Sequence, residues 1–291
     1  MVVPFPPGGG NDIMGRYLAA KLSERMNRQV IVDNRPGADG VIGSDMVAKA
    51  APDGYTLLII SVSYAMNAAL HKLPYEPVKS FTAISQIGIG PGVIAVTPAL
   101  PVGNIKQLIA LAKARPGQLH YASSGIGGVN HFAGELFKIA TQTDIVHVPY
   151  KGGGQAMVDV MAGHVEVLFN ALTSALPHIR SGKLKALGVG GFKSSLALPN
   201  VAAIPAIADT VPGYESAVWW GVLAPAGLPH TIVARLNSEV AAAMRDPQMV
   251  KRLEADAAEV VVTSPEAFGA MVASEVAKWS KVARAAGIKA P

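Results

Sequence analysis

The feature that most constrains the fold is a repeated order of apolar strand, glycine-rich turn and amphipathic helix. A strand from Val2 to Phe5 is followed by a proline- and glycine-rich turn and by a helix from about Asp12. The order returns after a strand from Val30 to Val32, and further strands are predicted from Gly92 to Thr97 and within 120–169. Strands that alternate with helices indicate parallel sheets joined by crossovers. The predicted fold class is therefore α/β.

Two proline-rich segments, 98–101 and 224–229, bracket a middle block with its own strand and helix order. The segment after 229 is predicted to contain helices and almost no strands, so we expect these helices to pack on the first block. This predicts two α/β domains, residues 1–100 plus 226–291 and residues 101–225, with a ligand cleft between them. One continuous doubly wound domain is the alternative.

Composition excludes several classes of protein. Of the 291 residues, 50% are hydrophobic and 15% are charged, which is too apolar for an intrinsically disordered chain. The apolar runs are far shorter than the ~18 to 20 residues of a spanning helix. The net charge is +5, but the sequence has no run of four basic residues that would indicate a nucleic-acid-binding patch. The excess of positive charge instead favours the binding of small anions. The absence of cysteine excludes disulfides and thiolate chemistry.

Glycine is concentrated where predicted strands end, at 8–10, 37–40, 125–128 and 152–154. In open parallel sheets ligands bind outside these strand ends. Each turn opens a helix whose first N–H groups lack internal partners and can therefore bind an anion. A single turn of this kind is most often only a turn, but four favour a site, and two opposed helix ends suit the two ends of a dicarboxylate. Phosphate-loop and dinucleotide motifs are absent.

The third glycine turn has candidate polar ligands beside it. Ser123 and Ser124 precede it and His131 follows, and hydroxyl and imidazole groups suit a carboxylate pocket. Asn170 ends a strand, where it either faces the ligand or caps a helix. An α/β transferase or hydrolase that uses Ser123 and His131 on a small anion remains an alternative, as does a scaffold protein. Tyr121, however, stands where a nucleophile elbow needs glycine. No metal-ligand spacing occurs, so we expect neither metal nor cofactor.

Seven segments carry a family resemblance across essentially the whole chain: VPFPPGG (3–9), NRPGA (34–38), DGYTL (53–57), YASSG (121–125), VPYKG (148–152), GKL (182–184) and APAG (224–227). Together they resemble the substrate-binding receptors of tripartite tricarboxylate transporters, the Bug family. The resemblance implies a periplasmic, non-catalytic receptor of the periplasmic-binding-protein type, whose two domains close on a ligand like a Venus flytrap. It also implies a di-, tri- or aromatic carboxylate, held by backbone N–H groups and waters and delivered to membrane permease subunits.

The resemblance also bears on individual residues. The family often has an acidic residue where this chain has Asn170, and the change makes an amino-acid ligand less favourable. Because the sequence begins inside a predicted strand, we expect the natural N-terminus and an export signal to lie upstream, and we expect a monomer. The candidate ligand-binding residues are Phe5, Pro7, Gly8, Gly9, Asn11, Asp12, Ser61, Ser63, Ser123, Ser124, Gly125, Gly127, His131, Tyr150, Gly152, Gly153 and Asn170.

Overall fold

The structure is a computed structural model that describes residues 1–7, 10–150, 152–191, 196–198, 201–255 and 258–289. The chain forms two compact units, residues 1–89 with 219–280 (unit 1) and residues 90–218 with 281–291 (unit 2). The chain passes from one unit to the other inside two long strands, before the proline-rich segments rather than at them, and once more inside the C-terminal helix. The domain bounds given from the sequence stay a prediction.

The elements alternate along the chain as the sequence pattern indicates. The strands are β1 (Val2–Val3), β2 (Asp33–Asn34), β3 (Leu58–Ser61), β4 (Phe81–Val96), β5 (Leu119–Ser123), β6 (Ile145–Pro149), β7 (Val167–Ala171), β8 (Lys185–Gly190), β9 (Leu196–Leu198), β10 (Val201–Ile204) and β11 (Ala217–Pro225). The helices are α1 (Gly10–Met26), α2 (Val41–Ala48), α3 (Val62–Leu70), α4 (Ile105–Ala114), α5 (Val129–Thr141), α6 (Gly153–Ala162), α7 (Leu172–Arg180), α8 (His230–Met244), α9 (Pro247–Ala255) and α10 (Pro265–Ala286).

Unit 1 is built on a mixed sheet. β1 pairs in parallel with β2 and β3, and β11 pairs antiparallel to β3 with Trp220 opposite Ser61. All four residues of β3 are buried, as expected for a strand covered on both faces. Leu18 of α1 and Val240 of α8 are fully buried in the core of this unit. The sheet therefore places the ends of β1, β2 and β3 at one edge, where α1 and α3 begin.

Unit 2 repeats this arrangement with different partners. β5 pairs in parallel with β6 and β7, so the carboxyl ends of these three strands lie at one edge of the sheet. β4 pairs antiparallel with β7 and β8. Tyr121, Phe137 and Phe169 are buried in the core of this unit. The predicted α/β class is confirmed.

One strand prediction was wrong and another was too short. The strand predicted from Val30 to Val32 is displaced: the residues that pair with Val2 and Val3 of β1 are Asp33 and Asn34. The strand predicted from Gly92 to Thr97 is the second part of β4. Its first part contains the polar residues Ser85 and Gln86, whose hydrogen bonds to Thr263 compensate burial that the sequence pattern does not reveal.

Among the residues that the structure describes, none of the helices is long and apolar enough to cross a bilayer.

Candidate ligand-binding site

In unit 1, the candidate residues lie around the ends of β1 and β3. Phe5 and Pro7 follow β1, Asn11 and Asp12 lie in the first turn of α1, and Ser61 and Ser63 lie where β3 passes into α3. Gly8 and Gly9 fall outside the described residues. The parallel pairing of β1 with β3 brings these segments to one edge of the sheet.

Asp12 is the buried member of a network of three side chains, which we call the unit 1 network: Asp12, Arg16 and Asn34. The Asp12 carboxylate, 3% exposed, accepts hydrogen bonds from Arg16 Nε at 2.9 Å and from Asn34 Nδ2 at 2.8 Å. Arg16 also donates to Asn34 Oδ1 at 3.0 Å, and Asn34 donates to the Phe5 carbonyl at 3.1 Å. The network thus joins α1, the end of β2 and the segment after β1.

The other unit 1 candidates have simpler surroundings. The hydroxyls of Ser61 and Ser63 lie 2.9 Å apart at the start of α3. The ring of Phe5 lies close to Gly40, whose φ of +95° and lack of a Cβ permit this approach. Asn67 of α3 donates a hydrogen bond to the Asp39 carbonyl. This bond fixes the turn before α2 against α3.

In unit 2, the candidate residues converge at the ends of β5, β6 and β7. The Tyr150 N–H donates to the Ser123 carbonyl at 3.1 Å, which joins the ends of β5 and β6. A Cβ built on Gly153 would lie 3.9 Å from both Asn170 Nδ2 and Ser124 Cβ. The first turn of α6 therefore faces the end of β7 and the segment after β5.

In the turn at 123–128, which we call the glycine loop, two backbone amides donate hydrogen bonds to nearby side chains of the protein. The Gly125 N–H donates to Ser123 Oγ at 3.1 Å, and the Gly127 N–H donates to His131 Nδ1 at 3.1 Å. Gly125 has a φ of +138° and Gly127 a φ of +76°, conformations that favour glycine. The glycines at these positions are explained by backbone conformation, and their own N–H groups already have acceptors.

Ser123 is fully buried and pairs with a histidine that the sequence reasoning did not select. Its hydroxyl lies 2.6 Å from His147 Nε2 and 3.1 Å from the Gly125 carbonyl. The His147 ring stacks on that of His131 with centroids 3.8 Å apart. Burial, assisted by His131 and Lys138, lowers the pKa of His147 to about 4. Burial also lowers the pKa of His131, so both rings are neutral at pH 7.

Two further candidates have internal partners. Asn170 Oδ1 accepts from the Ala171 N–H at 2.8 Å and from Asn130 Nδ2 at 3.5 Å. The Tyr150 hydroxyl donates to Asp159 at 2.7 Å, and burial together with this bond raises the pKa of Tyr150 to about 12. The Tyr150 phenol is consequently a neutral donor already engaged by a carboxylate.

Helices that begin at these strand ends lack side-chain caps, as do α2 and α8. α3, α5, α6 and α7 begin after Ser61, Gly128, Gly152 and Ala171, and none of these residues caps its helix through a side chain. By contrast, Asn104, Asp246 and Ser264 accept hydrogen bonds from first-turn amides of α4, α9 and α10. Uncapped first-turn amides are available to an anion.

The described residues contain no group of three or more His, Asp or Glu that could hold a metal ion.

Comparison with known proteins identifies the family. Residues 14–288 match the model of the tripartite tricarboxylate transporter family receptor. The chain belongs to this family. It is 36% identical over 293 residues to Protein BugT of Bordetella pertussis, a match that covers 99% of this chain and 89% of BugT. The family resemblance predicted from the sequence is confirmed, and receptors of this family are periplasmic.

Solved structures give the same result at the level of fold. A protein of R. palustris solved with adipate is 37% identical, with a TM-score of 0.78 over 99% of this chain and 96% of that one. MatC from Rhodopseudomonas palustris with bound malate is 28% identical, with a TM-score of 0.75 over 97% of each chain. The periplasmic solute-binding fold predicted for this receptor is confirmed.

The enzyme alternative does not stand. The family consists of receptors, which confirms the non-catalytic class expected from the resemblance. In the structure the Ser123 hydroxyl lies against His147 rather than against His131, with which that alternative paired it.

Several polar residues of the receptor were missed by sequence reasoning. His147 lies opposite Tyr121 across the β5–β6 pairing, and only the strand register reveals that it reaches Ser123. Arg16 lies one helical turn after Asp12, a spacing that could have indicated the ion pair. Asn34 ends β2 as Ser61 ends β3, so its position after a strand was the available signal.

Proposed function

We propose that this chain captures a small organic carboxylate in the periplasm and delivers it to the membrane permease subunits of a tripartite tricarboxylate transporter. Family membership supports this proposal, and two related proteins have been solved with adipate and with malate. The observation that carries it is the set of uncapped helices α5, α6 and α7 at the ends of the adjoining strands β5, β6 and β7 of unit 2.

The energetics suit a binding protein. A hydrogen bond to a charged group contributes about 1.5–3 kcal/mol net, and micromolar affinity corresponds to about −8 kcal/mol. Four or five such bonds from helix amides would exceed this, and the surplus offsets the ordering of the ligand. We also propose that the receptor acts as a monomer.

The proposal is tested by ligand screening. A panel of mono-, di-, tri- and aromatic carboxylates that includes adipate and malate is tested by thermal shift, and hits are measured by calorimetry. We expect at least one acid to raise the melting temperature, because a ligand that binds only the folded state stabilises it. If no acid does so while a nucleotide or a sugar does, the proposal is wrong.

The placement of the anion is tested by Gly153→Ala. A methyl group there would occupy the space between Asn170 and Ser124 at ordinary contact distances, and Gly153 is not among the residues of positive φ. We expect affinity for the acid found in the screen to fall about 10- to 100-fold, the equivalent of one lost charge-assisted hydrogen bond. Gly269→Ala in α10 is the matched control, since its methyl would meet only Ala83 at 3.6 Å. Equal affinity of the two variants would contradict this placement.

A further inference from the structure

The stacked rings of His131 and His147, which we call the imidazole pair, lie directly beside the glycine loop. His131 is on α5 and His147 is on β6, and their planes are inclined by only 9° at a centroid distance of 3.8 Å. His147 also stacks on Tyr121 of β5, with centroids 4.9 Å apart. The pair is therefore held between two neighbouring strands and the helix that packs on them.

Each ring of the imidazole pair controls one amide of the loop. His131 Nδ1 accepts the Gly127 N–H directly. His147 acts through Ser123, whose hydroxyl contacts His147 Nε2 and accepts the Gly125 N–H. Two of the loop's amides thus depend on the orientation of two side chains, and the Gly127 amide also depends on the ionisation of His131.

The Gly127 bond also dictates a tautomer. A ring nitrogen accepts a hydrogen bond only when it carries no proton, so Nδ1 of His131 must be bare and the proton must be on Nε2. In an imidazolium both nitrogens carry protons, and Nδ1–H would then oppose the Gly127 N–H. Ser123 differs, because its hydroxyl can rotate and accept from a protonated His147.

We propose that His131 and His147 are positioning residues of the glycine loop, and that its observed shape requires His131 as a neutral imidazole with the proton on Nε2. The effect of this positioning on ligand capture rests on the proposed function. The glycine loop leads into α5, one of the uncapped helices that we propose bind the carboxylate. A loop that loses the Gly127 bond would no longer present the first turn of α5 in the same way.

The charged groups around the pair favour neutrality. Glu135 of α5 would stabilise an imidazolium, but its carboxylate is engaged by the Tyr121 hydroxyl at 2.8 Å and by Lys138 Nζ at 2.9 Å. The Lys138 ammonium and burial both oppose protonation of either ring and lower the pKa of each. A second positive charge at 3.8 Å would add repulsion. The glycine loop should therefore keep its shape at neutral pH and lose it in acid.

The first test uses the ligand-free protein. Long-range ¹H–¹⁵N NMR correlations of the histidine side chains report which ring nitrogen carries the proton. We expect His131 as the Nε2–H tautomer at pH 7.5, and His147 to stay neutral to well below the ordinary histidine pKa of about 6.5. An Nδ1–H tautomer of His131 would overturn the proposal.

Two substitutions of His131 separate the acceptor from the ring. His131→Asn places an amide oxygen near the position of Nδ1, whereas His131→Phe keeps a ring for stacking but has no acceptor. We expect the Gly127 amide to exchange with solvent about five- to tenfold faster in the Phe variant, as for one lost hydrogen bond, and near the wild-type rate in the Asn variant. Equal exchange in both would show that the ring is a packing element alone. If the His131→Phe variant does not fold, the tautomer measurement on the wild type still tests the proposal.

Binding distinguishes this inference from the proposed function. Wild type and both variants are titrated with adipate and malate at pH 7.5 and pH 4.5. If the wild type binds none of the screened acids while His131 shows the expected tautomer, the proposed function fails and the positioning role stands. If an acid binds equally at both pH values and to both variants, the imidazole pair does not position the site.

Discussion

The candidate residues of unit 1 and unit 2 occupy equivalent strand ends but are held by different interactions. In unit 1, the buried Asp12 carboxylate organises Arg16 and Asn34, so the arrangement depends on charge. In unit 2, neutral imidazoles and glycines of positive φ organise the backbone of the glycine loop. The same strand-end location is thus stabilised by side-chain charge in one unit and by main-chain geometry in the other.

The largest expected effect is on the charged arrangement. Asp12→Ala removes the acceptor shared by Arg16 and Asn34, and we expect a loss of about 3 kcal/mol in the free energy of unfolding, because charge-assisted bonds to a buried carboxylate are lost. Asp12→Asn, which keeps an oxygen for Asn34, should lose less. Chemical denaturation measures both. A loss below about 1 kcal/mol in the alanine variant would show that unit 1 does not depend on this charge.

The next effect tests the main-chain arrangement of unit 2. A Cβ at Gly134 of α5 would overlap the ring of Tyr121, which stacks on His147. We expect Gly134→Ala to lower the free energy of unfolding by about 1–3 kcal/mol, the cost of overpacking a core. Gly269→Ala, with an ordinary contact, should be close to neutral. If both variants unfold alike, the aromatic stack is adaptable and the contrast between the units weakens.

A smaller effect is expected from pH. The folded-state pKa of His147, about 4, lies below the unfolded value of 6.5, so the unfolded state binds the proton first. The stability from neutral His147 is complete above pH 6.5 and is lost as the pH falls towards 4. We expect the wild type to lose about 1 kcal/mol more than His147→Gln over this window, less than the full shift because the ring is only half-buried. Parallel stability profiles of the two proteins would contradict the assignment.

The smallest effect concerns Tyr150. Tyr150→Phe removes the hydrogen bond to Asp159, and we expect a loss of about 0.5–1.5 kcal/mol in stability with little change in affinity. The affinity is measured with the acid found in the screen. A tenfold loss of affinity at unchanged stability would instead show that the hydroxyl contacts the ligand, and unit 2 would then also use side-chain donors.

Part of the site could be predicted from sequence because its signals are local. Glycine turns after apolar strands indicated where Gly125, Gly127 and Gly152 lie, and all three adopt positive φ. The hydrogen bonds that the amides of Gly125 and Gly127 form were not predictable from the sequence. Their acceptors, Ser123 and His131, are placed by side-chain rotamers and strand register. The unit 1 network likewise joins residues 22 positions apart, Asp12 and Asn34.

The sequence by itself determined the α/β class, the positions of most helices and strand ends, and the receptor family. These follow from hydrophobic periodicity, turn residues and contiguous motifs, which are properties of neighbouring positions. Only the tertiary structure decided that His147 stands beside His131 and Ser123, that Asp12 is buried against Asn34, and which helices lack caps. Such contacts depend on strand pairing between distant segments, and a shift of register by one residue would place each side chain on the other face.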